Sequence, residues 1–85
     1  MNAPHAKWMK LAARGNLAIT ELFDAAAGLE RAGQRSAAIE LYRHWLKHHA
    51  RSAHAFAAHF NLAVALLAEG DGSGAEAAYR QAIAL

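Results

Sequence analysis

Leu29-Glu30-Arg31-Ala32-Gly33-Gln34-Arg35-Ser36-Ala37-Ala38-Ile39-Glu40-Leu41-Tyr42 decides the fold, because its framework returns thirty-seven residues later as Leu66, Gly70, Ala75 and Tyr79. Each copy has an apolar residue, a glycine four positions on, then a small residue and an aromatic four apart. Apolar positions at that spacing lie on one face of a helix, and glycine supplies the left-handed residue at which helices end. The stretch is therefore a helix, a tight turn and a second helix, present twice. A repeated helical unit of this length cannot bury its apolar face alone and has to stack on a neighbour, which turns the functional reading towards binding.

Outward from this stretch, the apolar residues Leu22, Ala25, Ala26 and Leu29 place a helix from near Leu17 or Thr20 to Ala32. Downstream of Gly33, Ser36 is the expected N-cap of a helix reaching about Ala50. Its Ala38, Leu41, Tyr42, Trp45 and Leu46 form one stripe while Glu40, Arg43 and Lys47 face water. A fourth helix, capped by Ser52, is expected from about Ala53 to Glu69. This is the most apolar stretch of the chain, too short to span a bilayer and read as a buried helix. Ser73 with Glu76 three residues on predicts a capping box for a fifth helix over 74–85, with Ala75, Ala78, Tyr79, Ala82 and Ile83 inward. At the other end, Asn2-Ala3-Pro4 marks a helix start, and a first helix runs to Arg14 before Gly15-Asn16, with Trp8 and Leu11 as packing residues.

Eighty-five residues make one small domain, divided as 1–16 (N-terminal helix), 17–50 and 51–85 (the two repeats). The 55% hydrophobic content is largely alanine, which permits close helix contact and buries little area per residue. A net charge of +2 is too small a bias to argue for nucleic acid. The absence of cysteine excludes thiol chemistry and fits a reducing compartment, so a cytoplasmic location is expected. Residues 1–14 lack the apolar run of a signal peptide.

The two units resemble tetratricopeptide repeats, whose pattern over about 34 residues reads W-x2-L-G-x2-Y followed by A-x3-F. The second copy carries His59-x2-Leu62-Ala63-x2-Leu66 and then Ala75-x3-Tyr79; the first carries Leu22-x2-Ala25-Ala26-x2-Leu29 and then Ala38-x3-Tyr42. Trp45 stands where the family usually has a small residue, the period is three residues longer, and the closing proline is absent. The resemblance implies an all-α helical-hairpin solenoid of one N-terminal helix and two repeats, acting as a non-catalytic module for protein binding. The groove lined by the first helix of each repeat would then show Phe23, Asp24, Ala27 and Arg31, and Phe60, Asn61, Val64 and Ala68. A narrower likeness, carried by Leu41-Tyr42-Arg43-His44-Trp45-Leu46, Phe60-Asn61-Leu62-Ala63-Val64 and Ala75-Glu76-Ala77-Ala78-Tyr79-Arg80, is to the N-terminal repeats of bacterial SPINDLY-type glycosyltransferases. It implies a substrate- or partner-positioning module in which Asn61 holds a peptide backbone.

No catalytic constellation is legible. Ser36, Ser52 and Ser73 fall at helix starts, and the interrupted glycines Gly70, Gly72 and Gly74 follow no strand. His44 and His48, four apart, have the spacing of a zinc pair but lack the supporting ligands, so neither metal nor cofactor is expected. The basic run Arg31, Arg35, Arg43, Lys47 and Arg51 reads as a solvated face, and the aromatics do not interleave with it as a nucleic-acid platform requires. The expected partners are a peptide or protein, or another copy of the chain, with neither nucleic acid nor membrane. Self-association would use Tyr79, Ile83 and Leu85, because the last helix has few polar residues to cap a stack.

Overall fold

The structure, a computed structural model, describes residues 5–84 and the side chains of all of these except 5, 6 and 13. Five helices follow in order: α1 His5–Ala13, α2 Ile19–Arg31, α3 Arg35–His49, α4 Ala55–Ala68 and α5 Gly72–Ala84. Among the described residues there is no strand. The expected start at Asn2-Ala3-Pro4 and the candidate Leu85 lie outside the described residues.

Three helices end in one way, at Gly15, Gly33 and Gly70, whose φ angles are +74°, +77° and +86°. After α2 the Gly33 amide donates to the Glu30 carbonyl at 3.0 Å and the Gln34 amide to that of Leu29 at 2.8 Å. After α4 the Gly70 amide donates to Leu67 at 3.0 Å and the Asp71 amide to Leu66 at 2.9 Å. α1 closes identically, through Gly15 to Ala12 and Asn16 to Leu11. This paired pattern satisfies carbonyls that a helix end otherwise leaves without partners. The turns after α2 and α4 thus share one backbone geometry, and three of the matching sequence positions agree with it: Leu29 and Leu66 are equally buried, and Ala38 and Ala75 both lie in the core, whereas Tyr42 is buried and Tyr79 only partly so.

The same turns correct the expected caps. A single residue separates Gly33 and Gly70 from the helices that follow them, so α3 starts at Arg35 after Gln34 and α5 at Gly72 after Asp71. Ser36 therefore lies inside the first turn of α3. At α5 the capping oxygen comes from Asp71, whose Oδ1 accepts from the Gly74 amide at 2.9 Å, and Ser73 donates its hydroxyl to that same oxygen at 3.4 Å. The expected Ser73–Glu76 box does not form: Glu76 pairs with Arg80 instead, at 2.7 Å. Half a box occurs at α2, where Glu21 Oε1 accepts from the Ala18 amide at 3.0 Å while alanine has no oxygen to return. Ser52 accepts from the His54 amide at 3.1 Å and shapes the turn before α4.

α3 is the hub. α1, α2 and α4 all pack on it, α4 also packs on α5, and α2 and α4 share no substantial interface. One core runs through all five helices, from Ala12 and Leu17 through Leu22, Leu41 and Trp45 to Ala63, Ala75 and Ala78. Its small residues let helix axes approach, and Trp45, 2% exposed, fills the space at the C-terminal end of α3. The Trp45 indole donates to the Leu17 carbonyl at 2.7 Å and stacks on His49 at a centroid distance of 4.5 Å. α4 is buried on one face only, through Ala55, Ala58, Leu62, Ala63, Ala65 and Leu66, which corrects its reading as a buried helix.

Candidate interaction surface

The opposite face of α4 is apolar as well. Phe56, Phe60, Val64 and Leu67 are 54%, 51%, 48% and 58% exposed. Their spacing of four, four and three residues makes a single stripe about 16 Å long on an α-helix. α4 contains no Asp, Glu, Lys or Arg, so no charge interrupts it. α5 extends the surface: Tyr79 meets Phe60 edge to face at 5.5 Å, and Ile83, one turn further, is 85% exposed. Since α5 runs back along α4 from the short turn 69–71, Ile83 lies towards the Phe56 end. Ile83 was expected inward at its repeat position; two buried alanines, Ala75 and Ala78, make the α5 contact and leave Ile83 on the outside.

The expected groove residues fall into two sets. On α4, Phe60 and Val64 belong to the stripe, Asn61 is half-buried beside it, and Ala68 is exposed at its end. On α2, Phe23 is half-buried against the core, and Asp24, Ala27 and Arg31 are exposed. Because α2 and α4 each pack on α3 and have little contact with one another, the structure does not join the two sets into one continuous helix pair. Asp24 instead borders a separate cleft of about 340 Å³ between Trp8 of α1, Ala25, Gly28 and Leu29 of α2, and Ala32 just after it. Sequence reasoning missed Phe56 and Leu67. The signal was present in the spacing 56, 60, 64, 67, which runs beside the stripe of Leu62, Ala63 and Leu66; a helix apolar all round was read as enclosed all round.

Charged groups lie away from this face. Arg35 bridges Glu30 at 3.6 Å and Glu69 at 3.8 Å, tying the C-terminal ends of α2 and α4 to the start of α3. All three are partly exposed, and such pairs near solvent contribute about 0–1 kcal/mol each. Arg31, Arg43, Lys47 and Arg51 are exposed. His44 lies 3.9 Å from Glu40, and His48 is exposed with its ring carbon against Gly15. Among the described residues no group of three or more His, Asp or Glu is placed to hold a metal ion, and no helix is long and apolar enough to cross a membrane. Two groups titrate abnormally. Burial, with the Glu30 carboxylate adding to it, pushes the Tyr42 hydroxyl up to about 12, and desolvation lowers His59, whose buried Nδ1 has no hydrogen-bond partner.

Comparisons of the chain with protein-family models, with curated proteins and with solved structures return no match.

Proposed function

We propose that this chain is a non-catalytic protein-interaction module with tetratricopeptide-like stacking of its helix pairs, binding through the outer face of α4 and the adjoining edge of α5. The observation that carries this reading is the row Phe56, Phe60, Val64 and Leu67, large apolar side chains left half in water on an uncharged helix. Scattered apolar residues on a surface are ordinary, but a contiguous row marks a place that another macromolecule covers. The repeated glycine turns and the buried Ala38 and Ala75 support the stacking, since they give both repeats the same helix-to-helix approach.

The test is selection of peptides displayed on phage against the folded chain, with a Phe60→Asp, Leu67→Asp double variant as counter-selection. Enrichment of apolar sequences that bind the parent and not the variant supports the module. A parent that enriches nothing and does not self-associate contradicts it.

A further inference from the structure

Four half-exposed apolar side chains in register on one helix, with none of its fourteen residues charged, constrain what can cover them. An extended peptide brings a backbone whose amides and carbonyls need partners, and the stripe itself, four hydrocarbon side chains, provides none. A helix brings its backbone already satisfied, so the fitting occupant is a helix with an apolar, uncharged face. We propose, resting on the interaction reading above, that this occupant is α4 of a second copy, docked antiparallel about a two-fold axis that passes between Phe60 and Val64.

Three features of the face favour its own copy. The first is order. The aromatic residues Phe56 and Phe60 occupy its N-terminal half and the smaller Val64 and Leu67 its C-terminal half. Antiparallel docking sets Phe60 of each copy opposite Val64 of the other and Phe56 opposite Leu67, matching large to small at every level. A two-fold interface must be self-complementary in this way. The second is charge. Identical surfaces bring identical charges together, and a face without charge incurs no such opposition. The third is area. With Ile83 added, the exposed apolar side chains offer on the order of 500 Å², near the largest patch a monomer usually shows. Two such faces in contact bury on the order of 1,000 Å², the lower bound for a specific interface. The dimer is therefore weak, forming at micromolar concentration or above.

The experiment is sedimentation equilibrium of the parent and of two variants, Phe60→Lys and Val64→Glu, whose substituted positions face each other in a mixed dimer, each checked for unchanged helicity by circular dichroism. Both substituted positions are half exposed, so either side chain can reach water in the folded monomer. The expected result is a parent in monomer–dimer equilibrium, each variant associating at least tenfold more weakly, and an equimolar mixture of the two variants regaining dimer. Recovery in the mixture separates interface loss from misfolding. A parent that stays monomeric up to millimolar concentration overturns the proposal, as do variants that dimerise like the parent or a mixture that stays monomeric. A monomeric parent that still enriches helical apolar peptides in the display selection removes the second copy and leaves the interaction module standing; a parent that does neither removes both.

Discussion

The Trp45 indole nitrogen lies 2.7 Å from the carbonyl oxygen of Leu17, a buried hydrogen bond between residues twenty-eight positions apart. It fastens the connection between α1 and α2 to the C-terminal end of α3, and it accounts for a bulky aromatic side chain in an alanine-rich core. Trp45→Phe removes the donor, narrows the ring and leaves the Leu17 carbonyl buried without a partner. The expected cost is about 1–3 kcal/mol from the lost bond alone, read as a lower midpoint in urea unfolding. A midpoint equal to the parent's would show that water replaces the indole.

Ala38 and Ala75 occupy equivalent core positions on α3 and α5. Leucine at either place overpacks a helix contact, with an expected loss of about 1–3 kcal/mol. Thermal melts of the two single variants check this, and the repeat geometry requires that both be destabilised; a loss in one alone would show that the two contacts are not equivalent.

At the start of α5, Asp71→Ala removes the oxygen that accepts from the Gly74 amide and should cost about 1 kcal/mol, whereas Ser73→Ala should cost much less. The reverse ranking would restore Ser73 as the cap. Gly74 is packed so closely on the Asp71 carboxylate that an added Cβ would displace it, so Gly74→Ala should resemble the Asp71 variant.

These caps show where legibility in the sequence ends. The helices and their glycine ends were readable because glycine takes the left-handed conformation that closes many helices most easily, and Gly15, Gly33 and Gly70 supply it. The caps were not, because Asp71 and Ser73 are both competent acceptors. The choice between them is made by the turn, which leaves room for one residue and not three before the helix resumes. Half of the candidate surface was legible in Phe60 and Val64. Phe56 and Leu67 were not, because periodicity tells which residues share a face but not which of two apolar faces of α4 meets α3 and α5. That is settled by Ala58, Ala63 and Ala65, whose small size permits the close approach and sends the bulkier face outward.

Tyr42 gives a signature at high pH. With its hydroxyl held near 12 against an ordinary 10.0, the unfolded chain loses that proton first, so the folded state is favoured below pH 10 and the advantage disappears as pH rises through 12. Spectrophotometric titration of the parent minus Tyr42→Phe should show a phenol ionising well above 10. Ionisation at the ordinary value would place Tyr42 in contact with water.

His59 acts at the opposite end. Desolvation lowers it below the ordinary 6.5, so the folded state prefers the neutral ring: its contribution is present above that pH and is lost as pH falls through the folded value. Stability measured across mildly acidic pH should fall less steeply in His59→Gln than in the parent. Parallel curves would remove His59 as a source of acid sensitivity.

The claim that the outer face of α4 binds a second copy of the chain is tested most directly by amide nuclear magnetic resonance spectra of the uniformly labelled chain, recorded from micromolar to millimolar concentration. The account expects shifts that grow with concentration and map to Phe56, Phe60, Val64, Leu67 and Ile83, with Trp8 and the rest of α1 unmoved. Spectra that do not change with concentration, or shifts centred on the cleft between Trp8 and α2, would contradict it.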